Sequence, residues 1–77
     1  MAKIWEERRP GYHSYFKEGE RSVMYGDVRA TIIDPNAPVK YEGLVYSPMP
    51  RGTKVGIFDT LDEAKVAVEQ ECIVRSL

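Results

Sequence analysis

The chain has 77 residues, 43% of them hydrophobic and 30% charged, with eleven Lys and Arg against twelve Asp and Glu for a net charge of −1. That length suits one small domain with a thin core, burying about 60–65% of the surface its unfolded form exposes, and the hydrophobic content excludes intrinsic disorder. The balanced charge argues against a dedicated nucleic-acid binder, a lone Cys72 excludes an internal disulfide or a cysteine-rich zinc site, and no apolar run approaches the roughly eighteen residues of a membrane span.

Residues 1–11 begin with Ile4 and Trp5 and turn polar through Glu6, Glu7, Arg8 and Arg9 to the turn-forming pair Pro10-Gly11. Trp5 is expected to fold back as an anchor at the edge of the core, since an indole buries a large area. Residues 6–9 read first as a solvated charged face. With no apolar signal core in Met1 to Glu7, a cytoplasmic protein is expected.

Tyr12 to Lys17 has the aromatic content of a strand, and Lys17 to Glu20 reads as the loop after it. From Arg21 to Ile33 the second half alternates, with Val28, Ala30 and Ile32 on one face and Arg29, Thr31 and Ile33 on the other. Gly26-Asp27 is either a Gly-first hairpin turn or a bulge in one long strand; the bulge is preferred because Lys17 to Glu20 is the better hairpin loop. Pro35 and Pro38 make residues 34–38 a loop. Val39 to Tyr46 is another strand, apolar on both faces in its second half, which argues for a central place or a covered second face. Residues 47–52, with Pro48 and Pro50, form a further loop, and Lys54 to Phe58 is the last strand.

A helix then runs from Leu61 to about Arg75. Thr60 with Glu63 three residues on is a capping box, and Asp62 and Glu63 suit the positive end of the helix dipole. Leu61, Ala64, Val68 and Cys72 form one apolar stripe, flanked by Ala67, that packs on the sheet. Lys65 is placed to pair with Asp62 or Glu69 for a few tenths of a kcal/mol, while Val66 and Ile73 lie off the stripe. The expected fold is α+β, an antiparallel β-meander of three to four strands packed on one C-terminal α-helix. One helix covers one face. The other would carry Arg29, Thr31 and Ile33 with Glu42, Leu44 and Tyr46 or their neighbours, a mixture that binding surfaces favour.

Little here suggests catalysis. His13 is the sole histidine, and a packed histidine among aromatics is the expected reading. Cys72 lies on the apolar stripe near the helix C-terminus, where the dipole disfavours a thiolate. Gly52 and Gly56 lack the rest of a phosphate-cradling loop. No catalytic residue, metal site or cofactor is expected.

The stretch from Gly56 to Ala67, twelve residues, resembles the strand-to-helix joint of small three-stranded-sheet-plus-helix domains, among them the arm-type DNA-binding domains of phage integrases and various short phage proteins. The resemblance implies a sheet that lies in a major groove with basic and aromatic strand residues in contact. Two functions are therefore expected to compete. The first is a non-enzymatic protein-binding module, of the phage accessory or inhibitor kind, occluding a surface of a host protein complex such as a defence system. Its partner-binding residues would be Arg8, Arg9, Arg29, Thr31, Ile33 and Tyr46. The second is a sheet-face nucleic-acid binder using Arg8, Arg9, Lys17, Arg21 and Arg29. At this size a homodimer is a further expectation.

Overall fold

A computed structural model describes residues 3–46 and 52–75, with backbone alone at residues 21 and 22. Five strands, β1 (Lys3–Arg9), β2 (Tyr12–Lys17), β3 (Glu20–Thr31), β4 (Lys40–Val45) and β5 (Thr53–Phe58), precede one helix, α1 (Leu61–Val74). The strands pair antiparallel in chain order, so the meander and its C-terminal helix are as expected with one strand more. The additional strand is β1, whose charged second half disguises it. The loop expected over 47–52 lies outside the described residues except for Gly52.

Tight turns join the first strands. Gly11 and Gly19 take φ of 77° and 85°, a left-handed backbone that side chains disfavour. Between them β2 and β3 slip register: Tyr15 faces Gly26 but Phe16 faces Met24. Tyr25 is the extra residue, so β3 is one long strand with a bulge, and no hairpin forms at Gly26-Asp27.

The core forms where α1 lies across β3, β4 and β5. Val28, Val45, Ala64, Val68 and Cys72 are fully buried, ringed by Trp5, Tyr15, Tyr25, Tyr41, Val55, Phe58 and Leu61. Gly26 and Gly43 make the floor beneath Val68; a Cβ on Gly26 would stand 2.5 Å from the Leu44 carbonyl oxygen and 2.8 Å from Val68 Cγ1. Burying one valine side chain contributes about 1.5–3 kcal/mol, so this close seat is a large part of a small core.

The helix start follows the capping box with one difference. Glu63 N–H donates to Thr60 Oγ1 at 3.1 Å, but the Glu63 carboxylate accepts from the Thr60 hydroxyl, at 3.0 Å, in place of the backbone N–H. At the other end the Arg75 N–H donates to the Glu71 carbonyl at 3.0 Å.

Trp5 is the anchor expected of it. Its ring stacks on Tyr15 with centroids 4.6 Å apart, and its Nε1–H donates to Glu69 Oε2 at 2.7 Å. Lys65 Nζ lies 5.5 Å from the Trp5 ring. Among the described residues Lys65 makes no ion pair, which corrects the pairing expected with Asp62 or Glu69: the indole takes both polar neighbours. Val66 and Ile73 are exposed.

Candidate functional site

The register fixes what the second sheet face carries. One cross-strand row runs Arg9, Tyr12, Arg29, Glu42, Ile57, and the next runs Glu6, Ser14, Asp27, Leu44, Lys54. Parity thus places Glu42, Leu44 and Tyr46 with Arg29. The expectation of an open face needs correcting at its centre, where Ser14, Asp27 and Phe16 are buried without help from the helix.

The buried centre is polar. Asp27 Oδ2 accepts from the Tyr12 hydroxyl at 2.9 Å and from the Tyr46 hydroxyl. Burial, then the bond to Asp27 and its charge, push both phenols above their ordinary pKa, against a smaller opposing pull from Arg29. Both tyrosines therefore remain donors at neutral pH. Asp27 Oδ1 and Ser14 Oγ have no hydrogen-bond partner among the described residues. Gly52 lies against the Tyr46 ring, where an added Cβ would meet Cε1 at 3.1 Å.

Above this centre the surface is basic. Glu7 faces His13 and Arg9 faces Tyr12, so Arg8 is an extra residue in β1. In a regular strand consecutive side chains point to opposite faces; the bulge cancels that alternation. Arg8 and Arg9 consequently line one depression of about 390 Å³ together with Tyr12 and Met24. The Arg9 and Arg29 guanidinium carbons stand 5.1 Å and 5.7 Å from the Tyr12 ring centroid, within cation–π range.

These arginines differ from the cations that carboxylates neutralise. Lys17 pairs with Glu20 at 3.1 Å, Lys54 with Glu42 at 3.7 Å, Arg75 with Glu71 at 2.8 Å, and Lys40 with Asp59. Arg8, Arg9 and Arg29 have no carboxylate partner among the described residues. Two exposed guanidiniums thus stand against one ring, with Arg8 on the depression beside it, and that ring is held at its far end by a buried acid.

Of the residues singled out from sequence, Arg8, Arg9 and Arg29 come together here. Thr31 lies further along β3, opposite Lys40. The Tyr46 hydroxyl is committed to Asp27, and Tyr46 does not line the depression. Ile33 lies beyond the end of β3 and is 60% exposed, so its expected place on the sheet face is corrected. Lys17 sits at the opposite end of β2, next to Glu20, and the Arg21 side chain is outside the described residues. Tyr12, Ser14, Met24 and Asp27 were not foreseen. The available signal was Asp27 itself, an acid in the interior of a strand, where Asp is depleted.

The remaining chemistry lies on the helix side. His13 is buried with Nε2 3.6 Å from Glu7 Oε2; burial, then the Lys65 charge, lower its pKa, and Glu7 opposes them. Burial raises the Cys72 thiol, whose Sγ lies 4.0 Å from the Tyr25 carbonyl oxygen. A second depression of about 420 Å³ runs along α1 past Phe58, Asp62, Glu63, Val66, Ala67 and Gln70. It is slightly larger, but it gathers no buried polar group or unpaired cation, so the arginine-lined depression is the stronger site. Among the described residues no His, Cys, Asp and Glu group is arranged to hold a metal, and no helix is long and apolar enough to cross a membrane.

Comparisons with protein-family models, curated proteins and solved structures find no match to this chain. The geometry alone carries the functional reading.

Proposed function

We propose that this chain is a non-enzymatic binding module whose second sheet face engages an acidic surface of a protein partner through Arg8, Arg9 and Arg29. The observation that carries this reading is the contrast in pairing: Lys17, Lys40, Lys54 and Arg75 each have a carboxylate partner, while Arg9 and Arg29 stand against Tyr12 and Arg8 lines the depression beside it, with no carboxylate partner for any of the three among the described residues. Arg and Tyr are the residues most enriched among binding hot spots. Tyr12 is held by its hydrogen bond to Asp27, so part of the ordering cost of binding is met before the partner arrives. A phage accessory or inhibitor protein that acts by covering a surface of a host complex fits such a patch on so small a domain.

The test is capture of a partner from the native host by crosslinking, repeated with the double variant Arg9→Glu and Arg29→Glu. Loss of the captured partner in the double variant is expected; undiminished capture would exclude this face. Duplex DNA offered at about 50 mM salt separates the nucleic-acid reading, whose mark is steep weakening as salt rises.

A further inference from the structure

We propose that the depression between Arg8, Arg9 and Tyr12 is a seat for one phosphoryl group carried on a side chain of the partner, an inference that rests on the binding-module reading above. The β1 bulge supplies the first argument. It turns two consecutive arginines toward one cavity that also has a ring and an apolar wall in Met24. Arg29 on β3 stands 5.7 Å from the centroid of the same Tyr12 ring, so a third guanidinium adjoins the cavity that Arg8 and Arg9 line.

Charge and stoichiometry decide the ligand. A single bidentate guanidinium satisfies a carboxylate. A phosphoryl group has three acceptor oxygens and a charge of about −1.5 to −2 at neutral pH, which matches an arginine cluster. The cavity, about 390 Å³, is larger than either head group needs, and Met24 and Tyr12 offer walls for the stem that carries the phosphoryl group.

Nucleic acid fits less well. Tyr12 is flanked by a guanidinium from each neighbouring strand, so its faces are not free for the base stacking that single-strand binders use. The same row continues into Glu42, which is held to Lys54 at 3.7 Å. A phosphate backbone following that row would meet an acid within two strands, whereas a point dianion would not. The positive field is local.

The experiment is an NMR titration of the full chain, following the arginine Nε–H and Tyr12 ring signals, with phenyl phosphate and benzoate as probes that share a ring and differ in head group. Phenyl phosphate should bind at least about tenfold tighter than benzoate, a difference of about 1.4 kcal/mol. Arg8→Gln and Arg9→Gln should each weaken phenyl phosphate about tenfold while Lys17→Gln leaves it unchanged. Equal affinity for the two probes in the unmodified chain would overturn the inference, whatever the variants do. So would duplex DNA binding tighter than phenyl phosphate with a steep salt dependence. Partner capture by the Arg9→Glu and Arg29→Glu double variant is scored in parallel. Capture that depends on these arginines while the probes bind alike removes the phosphoryl seat and leaves the binding module standing. Phenyl phosphate preferred with no arginine-dependent capture removes the module reading.

Discussion

The two faces of the sheet close in opposite ways. Under α1 the closure is apolar: Val28, Val45 and Val68 meet over glycines that let the helix come close. On the other face a carboxylate is sealed in by two tyrosine hydroxyls, and arginines stand above it. The first arrangement packs the helix on the sheet and makes the fold. The second holds one face in a fixed shape while leaving charge exposed at its edge.

The largest effect that would test this contrast is Val68→Asp. An unpaired carboxylate would be forced into the floor made by Gly26 and Gly43, and losses of this kind run to about 3–5 kcal/mol, enough to abolish a cooperative thermal transition in a domain this small. Asp27→Ala should rank next. It strips two half-buried phenols of their acceptor, each at about 1–3 kcal/mol, and chemical denaturation should show a lower midpoint while α1 helicity in the native state persists. If Asp27→Ala were as stable as the parent, the polar closure would be ornamental. Tyr46→Phe, which removes one donor and leaves Asp27 with Tyr12, should cost about 1 kcal/mol by the same measurement.

Titration probes each face from a different end of the pH scale. His13, on the helix side, has a lowered pKa in the folded state, so the unfolded chain binds the proton first as pH falls below about 6.5. Stability should therefore decline on acidification through that region, and His13→Asn should flatten the decline. Tyr12 and Tyr46 have raised values, so the unfolded chain loses protons first above about pH 10. Stability should fall as pH rises beyond that point, with ultraviolet absorbance showing two phenols that ionise late. The smallest effect is expected for Arg9→Gln and Arg29→Gln, which touch no carboxylate. Folding stability should change by no more than about 0.5 kcal/mol, leaving binding as the property that responds.

Much of the helix side was legible in the sequence. The spacing of Leu61, Ala64, Val68 and Cys72 specifies which side of α1 is buried, and Thr60 with Glu63 marks where it begins, because both signals are local. The second face depends on pairing between strands, which spacing along one strand does not contain. Alternation grouped Arg29 with Thr31, but only the register with β2 brings Tyr12 beside Arg29 and Ser14 beside Asp27. The bulge at Arg8 is of the same kind. In sequence Glu6 to Arg9 is a run of charges; in the sheet one unpaired residue turns two of them toward the same cavity. Ile33 illustrates the opposite error, where an alternating pattern continued past the point at which β3 stops.

Trp5 is the only tryptophan, and its indole bridges from the outermost strand to Glu69 on α1. The same strand carries Arg8 and Arg9, so fluorescence from that indole is a built-in optical gauge of whether the arginine-bearing edge is latched in place. Fraying of that edge would shift the emission to longer wavelength while the circular dichroism of the helix stays unchanged.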